Sequence, residues 1–413
     1  MMFCSRGVDL RLNAAWLIGL LCVMGGVQAK TYTLYLDADR TGHSESALAI
    51  EYGMRVAFDE VNNQINGDKF EFVTLDHRGN SARSKHHMNL YDKDKNALAY
   101  VGGLHSPPLI KYRDFINQAE ILTLVPWAAG GPITRYPSEE NWVFRLSVDD
   151  RKAGERLAKA ALGDAQCKKP ALLLEETPWG QSNQLNISKA LLSAGHGTPE
   201  VAWFNWGIND AAARTRVNTL LDKQADCIIM VANAMEGSRI INAVASLPVE
   251  SRVPIISHWG ITGGDMSGIA QTVNSESLTL HFIQTCFSFL SESQSALSRQ
   301  VYSRAVTLFD EVTSDPASLD APTGFIHGYD LGKVFISAVA QADLSGDIDV
   351  DRRRVRLSME ALTDPIDGLI KTYRTPFTAY SEQNPDAHEA LGVDDLCMAS
   401  LGPKGEIRLI EDK

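Results

Sequence analysis

The sequence predicts an α/β protein of two doubly wound, parallel-sheet lobes between which the chain passes several times. Three observations point there. Short apolar segments alternate with amphipathic ones at βα spacing, the alternation restarts after residues 142–146, and the final third holds long helices with too few strands for its own sheet. Residues 31–37 (TYTLYLD) open the first unit as a strand, followed by a helix over 45–62, a strand over 70–76 and a basic, histidine-containing helix over 82–91. Strands at 97–101 and 121–125 enclose a helix over 107–118. In the second unit, strands at 171–174, 201–204, 227–231 and 254–256 are separated by helices over 183–193, 211–222 and 236–245. The remainder offers a strand near 278–282, helices over 292–312, 325–343 and 351–362, and a tail of strand and loop from Gly368. The stretch 343–354 (containing DLSGDIDVD) has calcium-loop flavour, yet lacks the ligand spacing and closing Glu of an EF-hand, so a solvated turn is expected.

The first residues read as an export signal. Arg6 and Arg11 precede an apolar run over 14–27, shorter than the roughly 20 residues a spanning helix needs, and Val27-Gln28-Ala29 has the small residues of a cleavage site, with Lys30 as the mature start. The mature protein is expected to be soluble in the periplasm. A net charge of -12 argues against nucleic acid and anionic lipid as partners. Outside the signal lie Cys167, Cys227, Cys286 and Cys397, whose spacing leaves three connectivities open. Cys167 and Cys227 each stand at the entrance to a predicted strand, which favours that pair. No CxxC or clustered histidine spacing suggests a metal, and neither metal nor cofactor is expected.

Function concentrates in residues 101–134, VGGLHSPPLIKYRDFINQAEILTLVPWAAGGPIT. Strand, glycine turn, helix, strand, glycine-rich turn places two loops at one edge of a parallel sheet, where open α/β sheets bind small ligands. The turns carry backbone N–H groups and the Ser106 hydroxyl, but no nucleophile paired with a base. GxSxG, HExxH and P-loop motifs are missing, and His105 next to Ser106 points away from it on extended chain, so a secreted hydrolase is only a remote alternative.

Several segments in order, AIEYGMRVAFDEVN, GGLHSPP, VPWAAGGPIT, FRLSVDDRKAGERLA, GFIHGYDLGKVFISAVAQA and DGLIKTYRTPFTAYSEQNPDAHEAL, span the mature chain. Together they resemble the type I periplasmic solute-binding proteins, in the branch serving branched-chain amino acid (Leu/Ile/Val) and amide uptake by ABC importers. The resemblance implies a clamshell of two lobes joined by three hinge crossings, near Ser147, Cys286 and residues 368–372. Lobe one would comprise 30–147 with 286–370, and lobe two 148–285 with 371–413, after a signal peptide over 1–29. It implies a monomer that captures a small polar or aromatic solute, an amino acid, amide or relative, and delivers it to a membrane permease. A sensory binding protein that presents its closed form to a membrane kinase or cyclase is the alternative.

Carried over residue by residue, Ser106 takes the first hydroxyl position, and Trp127, Ala128 and Ala129 fall on the second loop. Two departures stand out. Ala129 occupies a place where amino acid binders usually have Thr, and SHWGIT puts Trp259 at or beside the expected acidic residue. With Trp179 in EETPWGQS, the three tryptophans form a candidate aromatic wall for a flat, aromatic or cationic solute. Asp330 in GFIHGYD is the remaining counter-charge candidate, although a helix start stabilises a carboxylate regardless of ligand. Asn233 and Glu236 are near the cleft by topology, Glu236 also reading as a helix start, and His105 and His258 flank the same opening.

Overall fold

The computed structural model describes residues 1–2, 29–135 and 140–410. The expected signal over 1–29 lies almost wholly outside them. Six strands, β1 (Thr31–Ala38), β2 (Gln64–Ile65), β3 (Asp68–Asp76), β4 (Ala97–Gly102), β5 (Thr123–Val125) and β6 (Val143–Arg145), form a sheet in the order β2-β3-β1-β4-β5-β6. All its pairings are parallel except β2 with β3. A second sheet runs β15-β14-β11-β10-β9-β7-β8, from β7 (Pro170–Glu175), β8 (Val201–Phe204), β9 (Cys227–Val231), β10 (Ile255–Ser257), β11 (Leu280–Thr285), β14 (Leu396–Leu401) and β15 (Ile407–Ile410). β14 and β15 run antiparallel and close that edge, while β12 (Ile366–Asp367) and β13 (Thr372–Tyr373) make a separate two-stranded ribbon. The molecule is therefore an α/β, two-lobe clamshell.

Helices α1 (Ser44–Asp59), α2 (Ser81–Lys93) and α3 (Ser106–Gln118) follow strands of the first sheet. α4 (Asp150–Leu162), α5 (Pro178–Ser193), α6 (Asp210–Asp222), α7 (Ala234–Ala245) and α8 (Ser267–Ser275) belong to the second winding. α4 covers a stretch in which the sequence reading placed no helix. Its signals are nevertheless ordinary: the Asp149 carboxylate accepts from Lys152 N at its start, and Ala153, Leu157, Ala160 and Ala161 supply a buried apolar face. The three late helices, α9 (Ala296–Leu308), α10 (Pro322–Ala342) and α11 (Ile348–Glu360), return to the first sheet, where α10 packs on α1 and α11 on β4. α9 is shorter than expected because the Ser295 hydroxyl caps its start and Phe309 turns extended at its end. α1 and α10 approach backbone to backbone: a Cβ on Gly53 would sit 2.1 Å from Phe325 O, and one on Gly328 2.4 Å from Ile50 O.

Cys167 bonds Cys227, the pair favoured from sequence, and Cys286 bonds Cys397, which ties the end of β11 to β14. The acidic turn before α11 spends its carboxylates internally. Asp351 accepts from Tyr32 Oη, Ser345 N and Gly346 N, and Asp347 caps α11. Among the described residues, no helix is long and apolar enough to cross a membrane.

At the end of β6, paired with Val125 of β5, Arg145 is fully buried and its guanidinium is saturated. Nε and Nη2 reach Glu389 at 3.1 and 2.5 Å, Nη1 donates to Ala128 O and Gly130 O, and Nη2 also donates to Thr134 Oγ1. The same place carries backbone bonds from Arg145 N to His388 O and from Ala390 N to Arg145 O. A charge this deep is tolerable because its partner and every donor are matched.

Candidate functional site

In doubly wound sheets the strand order reverses at one point, leaving a crevice beyond the strand ends. The reversals here fall between β1 and β4 in the first sheet and between β7 and β9 in the second. Loops beyond β4 and β5 meet loops beyond β7, β9 and β10 around a cavity of about 10 Å³ lined by Leu104, His105, Ser106, Pro107, Trp127, Ala129, Glu175, Trp179, Asn233, Trp259 and Gly260. That is room for about one water molecule, so the lobes are closed. A larger hollow of about 220 Å³ lies elsewhere, lined by Phe287, Leu290, Pro316 and Lys404 among others, and shares none of the expected site residues.

The cavity brings together His105, Ser106, Trp127, Ala129, Trp179, Asn233 and Trp259. Ser106 is the first residue of α3, with Pro107 and Pro108 preset for the opening turn, and its Oγ accepts from Gly130 N at 3.0 Å. That bond pins the two first-lobe loops together and leaves the hydroxyl proton available to donate. Trp127 is buried and its indole Nε1 has no partner. Ala128 sits beside it with its carbonyl accepting from Arg145. Trp179 falls on the first turn of α5, which begins before the expected residue 183, because Thr177 caps it and Pro178 opens it. Asn233 precedes α7 and donates to Glu175 Oε2 at 3.1 Å. Glu236 lies in the first turn of α7 and accepts from Gly207 N.

Asp330 is not brought to the cavity. It is wholly buried in α10 and accepts from Leu369 N, Ile370 N and Tyr373 Oη, fastening the turn between β12 and β13. Burial pushes its carboxyl up to about 6, with the Tyr373 hydroxyl and the two amides pulling the other way. Both its oxygens serve the backbone beside the ribbon.

Two acidic residues outside the expected set take part. Glu175 ends β7, accepts from Thr177 and Asn233, and is pushed up to about 7 by burial, against hydrogen bonds from Trp206 and Thr177. Its position at a strand end was the available signal. Asp150, at the start of α4, is fully buried. Oδ1 accepts from Trp179 Nε1 at 3.1 Å and Asn183 Nδ2 at 2.7 Å, and Oδ2 accepts from Gly131 N at 3.3 Å. His258 Nε2 lies 3.6 Å from the same carboxylate. Gly131 N also reaches Ser182 Oγ at 3.3 Å, so the second first-lobe loop touches α4 and α5 together. Asp150 was illegible because its partners come from residues 131, 179 and 183.

Several donors are left over. Trp127 Nε1 and both ring nitrogens of His105 and of His258 are buried without a hydrogen-bond partner. Such orphans are rare in folded proteins and mark places where a ligand completes the set. Ser106 and His105 form no nucleophile–base pair. Next to the cavity, at the first-sheet reversal, Asp39, His43 and His105 offer ligand atoms all within 4.8 Å of one another.

Residues 36–383 match the family model described as a periplasmic binding protein. No curated protein sequence matches the chain. Solved structures do. A type 1 periplasmic binding protein from Bordetella pertussis Tohama I superposes with a TM-score of 0.73 at 16% identity, covering 92% of this chain and 99% of that one. A leucine-binding protein from Thermotoga maritima MSB8 gives 0.68 at 14% identity over 93% and 98%. A solute-binding protein of an ABC transporter from Rhodopseudomonas palustris HaA2, in complex with p-hydroxybenzoic acid, gives 0.73 at 13% identity over 92% and 96%.

Proposed function

The chain belongs to the periplasmic binding protein family, and from that premise we propose that it captures a small, flat solute with a carboxylate or amide edge for an ABC importer. It is a solute binder and not an enzyme. The observation that carries the solute class is the convergence of Trp127, Trp179 and Trp259 with unpartnered donors on one inter-lobe cavity. The Ser106 hydroxyl and Trp127 Nε1 supply hydrogen bonds to an acceptor edge, and the indole faces cover an aromatic or aliphatic body. Glu175 stands opposite to receive a hydroxyl or amine. A relative of the same fold holds p-hydroxybenzoic acid, a molecule with such an edge and a polar far end.

The closed cavity is far smaller than a solute of this kind, so the lobes must part to admit it and reclose around it. A closed-state ligand stabilises the protein by mass action, about 2.7 kcal/mol at a hundred times its Kd. A thermal-shift screen of aromatic acids, amino acids and amides is expected to yield a compound that raises Tm. Trp259→Ala is expected to weaken its binding by about 2 kcal/mol. A hit whose calorimetric affinity is unchanged in that variant would place the site elsewhere.

A further inference from the structure

We infer that Asp39, His43 and His105 form a site for one divalent transition-metal ion of the zinc class, set in the first lobe beside the solute cavity. The three residues come from the loop beyond β1, the residue preceding α1 and the loop beyond β4, so they meet at the point where the first sheet reverses its strand order. Their ligand atoms lie within 4.8 Å of one another. The closest pair, His43 Nδ1 and Asp39 Oδ2, is 3.2 Å apart. Ligands at about 2.0–2.1 Å from a tetrahedral ion are separated by about 3.3 Å, so the His43–Asp39 pair is already at ligand spacing and the His105 ring has to draw in by up to about 1.5 Å to complete the set.

Two independent features point to a ligand at this spot. Both ring nitrogens of His105 are buried without a hydrogen-bond partner, and so is His43 Nε2. The His105 residue is 4% exposed. A satisfied core histidine would show a donor or acceptor at one nitrogen at least. The carboxylate, in turn, is held as a metal ligand's is: Asp39 Oδ1 accepts from Thr41 N at 3.2 Å and Gly42 N at 2.8 Å, which leaves Oδ2 facing the histidines. His77 and Trp206 pack against the His105 ring, with centroids 5.7 and 5.0 Å away, and Trp206 brings a second-lobe cover.

Two imidazoles and a carboxylate match the donor set of zinc sites that keep one position open. Water or an oxygen donor fills that position. Since every ligand belongs to the first lobe, the site is complete in either lobe arrangement and does not depend on the solute class.

The test is calorimetric titration of the chelator-stripped full chain with ZnCl2. One ion per chain is expected, with affinity at least tenfold lower in His43→Ala and in Asp39→Asn, and unchanged in His86→Ala, whose side chain is exposed elsewhere on α2. Circular dichroism checks that each variant is folded, and Asp39→Asn, nearly isosteric, carries the test if His43→Ala is not. Co2+ in place of Zn2+ should give the visible absorption of a four-coordinate site, lost in the same variants. Absence of saturable binding, or equal affinity in wild type and His43→Ala, would overturn the assignment.

Discussion

The polar network around Arg145 and the β12–β13 ribbon treats buried polar atoms in the opposite way to the cleft. In that network Arg145, Glu389, Asp330 and Tyr373 are all buried and every one is matched by a charge, a hydroxyl or a backbone group. Across the cleft, Trp127 Nε1 and the ring nitrogens of His105 and His258 are equally buried and have no hydrogen-bond partner, His258 Nε2 standing 3.6 Å from Asp150. Matched groups fix a geometry, and unmatched ones cost free energy until something binds. The Arg145 network suits a fixed frame, and the cleft suits an occupant.

The largest test of that contrast is in the Arg145 network. Glu389→Ala removes the carboxylate that pairs with the buried Arg145, with Arg135 and Lys152 also facing the loss. A destabilisation of about 3–5 kcal/mol is expected by urea unfolding. A change below about 1 kcal/mol would mean that this network does not set stability.

Next in size is a pH effect in the cleft. Burial raises Glu175 from the ordinary 4.5 to about 7. The native state therefore holds its proton more tightly than the unfolded chain, so this contribution to stability is complete below about pH 4.5 and lost as pH rises through about 7. Glu175→Gln should flatten the fall in stability between those pH values, by about 3 kcal/mol. Parallel wild-type and variant curves would show that Glu175 ionises freely.

The smallest expected effect belongs to Ser106→Ala. Removing the acceptor of Gly130 N should cost about 1 kcal/mol in folding and a similar amount in solute binding. Folding loss without binding loss, read by unfolding and calorimetry on the same samples, would make Ser106 a loop pin only.

Most of the frame was legible because hydrophobic period and turn chemistry are local. Apart from β2 and β6, the strands from β1 to β11 fall where short apolar runs place them, and the shortage of strands in the last third implies that it completes the earlier lobes, which its helices do on the first sheet. α4 carries readable signals too, its Asp149 cap and its apolar spacing. The cleft was partly legible. Ser106, Trp127, Trp179 and Trp259 sit at strand ends, where topology alone collects ligand groups. Asp330 shows the limit: a carboxylate early on a helix looks the same in sequence whether it faces a solute or three donors of its own chain. Asp150, whose hydrogen-bond partners lie 19, 29 and 33 positions away, and the Asp39, His43 and His105 cluster were out of reach because such partners meet only once the chain has folded. The aspartate with the histidine four residues on, at 39 and 43, gave no hint of the loop at 105.

The unpartnered indole gives the most direct measurement. Trp127→Phe keeps an aromatic ring while removing the orphan N–H together with part of the buried indole. Wild type and variant would be titrated calorimetrically with benzoate, 4-hydroxybenzoate, leucine and a short aliphatic amide, with melting curves recorded alongside. Trp127→Phe is expected to lose about 1–2 kcal/mol of stability to the space left by the smaller ring, less than Glu389→Ala, and to bind the best of these compounds about tenfold more weakly. Undiminished binding of that compound, or a variant that loses as much stability as Glu389→Ala, would contradict that expectation.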